Sequence, residues 1–133
     1  MSGKEIKKKV QIIVMAQSSV LLLKLTDSRG GFWQNVTGGV DEGESYEAAA
    51  IRELWEETGI KASVEYIPLD FEFDDRFGKH VVEKIFVCSL DEIPLIQLSS
   101  EHQSFQWKKI TDVSEADYKF KTNYLPIEWL KYK

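Results

Sequence analysis

The single cysteine, Cys88, has no partner within the chain, so the sequence asks for neither a disulfide framework nor an oxidising compartment. Prolines number three, glycines eight, and no Pro-, Gly- or Ser-rich linker or internal repeat separates one region from another. The longest unbroken apolar run, Ile12 to Ala16, is far short of the roughly 20 residues a membrane-spanning helix needs. Lysines at 4, 7, 8 and 9 are followed by no signal-type apolar block or small-residue cleavage site, and a cytoplasmic setting is expected. A basic excess is also missing: 17 basic residues against 22 acids give a formal net charge of −5. A protein that tracks along extended nucleic acid carries a basic stripe instead, so that partner class is not expected. Finally, no Ser-His-Asp arrangement, phosphate-binding P-loop or zinc-ligand spacing is present.

What is present suits one compact domain over residues 1–133, with 43% hydrophobic and 29% charged residues. Residues 10–16 and 19–24 are apolar and β-branched and read as paired strands. Residues 27–31 form a loop, and 32–37 a short strand entering Gly38-Gly39. Ser45 is placed to cap a helix reaching about Thr58, with Gly59 as its left-handed terminator. Further strands are expected at 61–67, 71–74, 80–89 and 104–110, with a turn around 76–78. A short helix is expected near 111–117, and Pro126 is expected to open a C-terminal helix. Strands alternating with helices predict an α/β or α+β sandwich.

Seven of the acids (Asp41, Glu42, Glu44, Glu47, Glu53, Glu56 and Glu57) crowd between Asp41 and Ile60 against one Arg52. On a helical projection Glu53, Glu56 and Glu57 share an arc of roughly 100°, with Ala48, Ile51, Leu54 and Trp55 opposite and expected to face the core. Carboxylates at i, i+3 and i+4 repel one another. Taken alone, three glutamates fit a solvated acidic face. They also fit a site for a hard divalent cation such as Mg²⁺, which prefers oxygen ligands. Gly38-Gly39, just before the helix, can bring a main-chain carbonyl to the same place.

The glutamates belong to a longer pattern. From Gly38 the chain reads Gly, five residues, Glu44, seven residues, Arg52-Glu53-Leu54, one residue, Glu56-Glu57, one residue, Gly59-Ile60. This resembles the Nudix box at every spacing, a coincidence expected by chance at ~1 in 10⁹ per window. The resemblance implies a Nudix-type α/β/α sandwich with a mixed β-sheet, and hydrolysis of a nucleoside diphosphate-linked substrate with Mg²⁺ or Mn²⁺. Carried over by position, Glu53, Glu56, Glu57 and the Gly38 carbonyl would hold the metal. Glu53 would also act on the attacking water, and Arg52 would pair with Glu44 to orient the ligands.

Outside the box, Phe32-Trp33-Gln34, Val36-Thr37-Gly38 and Ser100-Glu101-His102, with Phe105-Gln106-Trp107 after it, resemble bacterial dihydroneopterin triphosphate (dATP) pyrophosphohydrolases. That likeness implies Glu101 as a further metal ligand or alternative base. It also implies a nucleotide or pterin triphosphate as the small-molecule partner, cleaved to monophosphate and pyrophosphate. The chain departs from the likeness at Lys24-Leu25-Thr26, where an arginine pair is usual. Lys9, Lys24 and Arg29 are candidate contacts for substrate phosphates, and Trp33 for stacking on a base, each against an ordinary reading as surface cation or packed aromatic. Rival readings are a hydrolase of dinucleoside polyphosphates, nucleotide sugars or RNA 5′ ends, and a non-catalytic nucleotide-binding module. A homodimer is compatible with the resemblance.

Overall fold

The computed structural model describes residues 5–133, so Lys4 of the N-terminal lysine run lies outside it. Strand β1 (Ile6–Ala16) is the spine, running parallel to β6 (His80–Leu90) along its whole length. Its other side is shared. β4 (Val36–Gly39) pairs antiparallel with Lys9 to Ile12, and β2 (Ser19–Leu25) takes over at the Met15-Ala16 end. Beyond them β2 carries β3 (Trp33–Gln34) and β7 (His102–Lys109), while β5 (Glu65–Asp74) edges the sheet on β6. Among the described residues the seven strands form one mixed sheet.

Alternation along β1 sends side chains to opposite faces. Val10, Ile12 and Val14 join Leu21, Leu23, Val36 and Phe86 beneath helix α1 (Tyr46–Thr58). Ile13 packs with Val20, Leu22, Ile85 and Ile127 beneath helix α2 (Lys121–Lys131). The result is the expected α/β/α sandwich.

Several expected boundaries move. The two strands read at 61–67 and 71–74 are one strand, β5, whose ladder to β6 is interrupted between Ile67 and Phe71. Pro68 lies in that interruption, where its missing N–H costs no ladder bond. The strand read at 32–37 is two, broken at the buried Asn35. Pro126 lies inside α2 instead of opening it. An internal proline leaves the carbonyl four residues earlier without its helical donor. That carbonyl, on Thr122, accepts instead from Gln11 Nε2 at 3.1 Å.

Gln11 belongs to a buried polar network joining β1 and β4 to the start of α2. Asn35 Nδ2 donates to Gln11 Oε1 (2.7 Å) and to the Asn123 carbonyl (2.9 Å), and Asn35 N donates to Asn123 Oδ1 (2.9 Å). Tyr118 Oη donates to Asn35 Oδ1 (2.7 Å), so all the hydrogen-bonding groups of the Asn35 side chain are used.

Candidate active site

Helix α1 begins at Ser45, whose hydroxyl accepts from Ala48 N (3.0 Å), and ends at Gly59 with φ of 78°, both as the sequence predicts. Its rotation is different. Of the four residues expected on the core face, Leu54 is fully buried, while Ile51 and Trp55 are 39% and 51% exposed and Ala48 is exposed, so most of that face looks outward. The buried residues are Ala49, Ala50, Leu54, Glu57 and Thr58. Two alanines let the helix approach the sheet closely, and that approach drives Glu57 inward.

Glu57 is 2% exposed, and its Oε1 has no hydrogen-bond partner. Burial, reinforced by Glu53 alongside and by the Glu101 charge, pushes its carboxyl up to about 10, against a smaller opposing pull from the Thr37 backbone N–H. His102 Nε2 stands 3.8 Å from Glu57 Oε1 and 3.3 Å from Gln34 Nε2, while His102 Nδ1 is buried without a partner. Burial lowers the pKa of this imidazole and so favours its neutral form.

Glu53 reaches the same place from the adjacent turn and lies against Gly38. A β-carbon on Gly38 would fall 2.1 Å from Glu53 Cδ, a distance no packed pair tolerates. Arg52 organises the outer side. It grips Glu44 with Nε to Oε2 and Nη2 to Oε1, both at 2.9 Å, and Nη2 also donates to the Gly39 carbonyl at 2.8 Å. Nη1 donates to Glu53 Oε1 (2.8 Å) and to both oxygens of Glu56 (3.2 Å). The two-pronged grip holds the Glu44 carboxyl down at about 2 and raises the guanidinium above its usual value. With Glu53 and Glu56 turned onto Arg52, no three acidic, histidine or cysteine side chains among the described residues stand in finished metal-ligand geometry.

Glu101 approaches from the loop before β7, and Arg29 Nη1 meets its Oε1 at 3.4 Å. Arg29 also lines a cleft of about 1170 Å³ on the α2 side of the sheet, together with Lys7, Lys9, Thr37, Phe71 and Phe120. Of the four candidate substrate contacts, Lys9 and Arg29 are on this cleft. Lys24 faces Trp33 and Ser104 across the sheet, and Trp33 packs against the core beneath α2.

Among the aromatics lining the cleft, Phe32 stands edge-to-face with Phe120 at 5.3 Å, with Lys119 Nζ 5.0 Å from the Phe32 ring centre. Phe120 and Lys119 carry no periodicity or motif that marks them, because only the return of the chain into α2 brings them to Phe32. The buried Asn35 had a weak signal, an amide interrupting a β-branched and aromatic run.

A sheet between two helices, with a Glu-rich helix whose arginine is clamped to the preceding loop, defines the class. The chain belongs to the Nudix hydrolase family: residues 7–130 match the NUDIX domain. An octanoyltransferase from Myxococcus xanthus is 35% identical over 104 residues, which cover 74% of this chain and 29% of that protein. The chain spans between 29% and 44% of the length of the first curated relatives it matches. A dihydroneopterin triphosphate diphosphatase from Haemophilus influenzae is 31% identical over 124 residues, covering 80% of this chain and 77% of the relative. Among solved structures, the E. coli dihydroneopterin triphosphate pyrophosphohydrolase superimposes with a TM-score of 0.80 at 28% identity, over 95% of this chain and 97% of that one.

Proposed function

We propose that this protein is a divalent-cation-dependent pyrophosphohydrolase that cleaves a nucleoside triphosphate-like substrate, a nucleotide or a pterin triphosphate, to the monophosphate and pyrophosphate. The observation that carries the reading is Glu57: a buried carboxyl with an unpartnered oxygen, beside Glu53 and within reach of the Glu101 charge. Such a group is costly to bury unless a proton or a cation joins it. The donor set, all oxygen, suits Mg²⁺ or Mn²⁺, and the contact of Gly38 with Glu53 leaves the main chain next to the acids. The Gly38 carbonyl, Glu53, Glu56, Glu57 and Glu101 would hold the ion. Bound there, a divalent cation neutralises charge on the phosphates and lowers the pKa of water.

The chain's own residues supply the rest. Arg52, fixed by Glu44 and the Gly39 carbonyl, holds Glu53 and Glu56 by hydrogen bonds that an arriving cation would have to share or displace. Glu53 or Glu101 accepts the proton of the attacking water at a carboxylate oxygen. Lys7, Lys9 and Arg29 line the cleft, which Asp70, Glu72, Asp74 and Asp75 also border, and offer positive charge suited to phosphates, and the Phe32–Phe120 pair offers an aromatic edge to a heterocycle.

The cytoplasm is the proposed setting. Among the described residues no helix is long and apolar enough to cross a membrane.

A hydrolysis screen with Mg²⁺ over nucleoside triphosphates, dihydroneopterin triphosphate, nucleotide sugars, dinucleoside polyphosphates and triphosphorylated RNA tests the reading, because each leaves a distinct product. Glu57→Gln and Glu53→Gln should each lower kcat by about three orders of magnitude or more while the far-ultraviolet spectrum stays unchanged. Full turnover in both variants, or nucleotide binding with no release of phosphate products, overturns the assignment.

A further inference from the structure

Arg29 occupies a junction. The residue lines the cleft, and its Nη1 meets Glu101 Oε1 at 3.4 Å. The two loops that carry these residues are joined by their backbones and by a side chain. Thr26 N donates to the Glu101 carbonyl at 3.0 Å, and Gln103 Nε2 donates to the Leu25 carbonyl and to Asp27 Oδ1, both at 2.9 Å. The main chain on either side of the pair is therefore held while the side chains, 54% and 46% exposed, keep their freedom to turn. An exposed ion pair of this kind is weak, so it forms and exchanges readily.

We infer that Arg29 is an exchangeable counter-ion of Glu101, which holds that carboxylate in the ligand-free protein and gives it up when anionic phosphate in the cleft draws the guanidinium away. The inference rests on the metal reading of Glu101 given above and deepens it. A cation arriving at the acids must compete with Arg29 for one of its oxygens, and a phosphate arriving in the cleft removes that competitor. Phosphate and cation thereby assist each other through one side chain, and by linkage the assistance is equal in both directions. A guanidinium suits the exchange because its N–H fork donates to carboxylate or phosphate oxygens alike.

The test uses Mn²⁺ alone as probe, with free Mn²⁺ counted by electron paramagnetic resonance and no nucleotide present, so that chelation by substrate cannot contribute. Arg29→Met should bind Mn²⁺ about two- to fivefold more tightly than the unaltered protein, the range an exposed pair allows. Arg29→Lys, which keeps the charge, should stay close to the unaltered protein. In a Glu101→Gln background the gain from Arg29→Met should vanish. Unchanged or weaker Mn²⁺ binding by Arg29→Met, or an equal gain when Glu101 is already Gln, overturns the inference, the second by revealing a general field effect in place of an exchange. Failure of the unaltered protein to bind Mn²⁺ at all overturns the metal reading first and this one with it.

Discussion

Glu53 fills the space that a β-carbon on Gly38 would need, and the contact separates a functional constraint from a folding one. A methyl at position 38 meets the end of a flexible side chain instead of backbone. Gly38→Ala should therefore fold, with Glu53 displaced by about an ångström and turnover reduced ~10²-fold, as steady-state kinetics beside a thermal melt would show. Glu57 makes a pH-dependent prediction of its own. Its carboxyl sits at about 10 in the folded protein against an ordinary 4.5. Between those values the folded chain keeps a proton that the unfolded chain has released, so stability without divalent ions falls as pH rises across that window. In chelator, Glu57→Gln should melt several degrees higher than the unaltered protein at pH 8–9 and show a flatter pH dependence. At this scale spacing made the Arg52–Glu44 clamp and the closeness of Glu53 to Glu57 legible, while their chemistry stays with the proposal above. The sequence was silent on Phe120 and Lys119, whose place depends on a distant return of the chain.

Helix α1 shows why an element's ends were easier to read than its face. Ser45 and Gly59 act through local backbone bonds, which sequence alone specifies. Its rotation was set by a competition that hydrophobicity misjudges: burying Trp55 and Ile51 would have carried Glu57 to the surface. Two alanines and Leu54 supply the apolar contact instead. Strand β5 and helix α2 show the same limit, since Pro68 and Pro126 read as breakers and are accommodated by tertiary partners. The partner of α2 can be tested. Gln11→Leu deprives the Thr122 carbonyl of its donor and Asn35 Nδ2 of an acceptor, and should destabilise the protein by about 2–4 kcal/mol in denaturant titration. Adding Pro126→Ala returns a backbone N–H to Thr122 and should recover part of that loss.

Across the whole molecule, the sheet divides the labour. Glu53, Glu56 and Glu57 ride on α1 and the cleft opens on the α2 face, with β4 passing between them so that Thr37 looks into the cleft and Gly38 toward Glu53. If the cleft holds the heterocycle, Phe120→Ala should raise the KM of nucleotide substrates ~10-fold, with kcat little changed, and leave binding of inorganic tripolyphosphate unaltered. Calorimetry with both ligands separates the two effects. The parallel pairing of β1 with β6 sets Ile6 against His80 and Ala16 against Leu90, with α1 enclosed in the loop between. On a ribosome the first strand therefore waits for a neighbour made much later, and the helix bearing the glutamates emerges long before the sheet that shelters Glu57 is complete. Nascent chains halted between α1 and β6 would display that acidic helix to water with no finished surface to receive it.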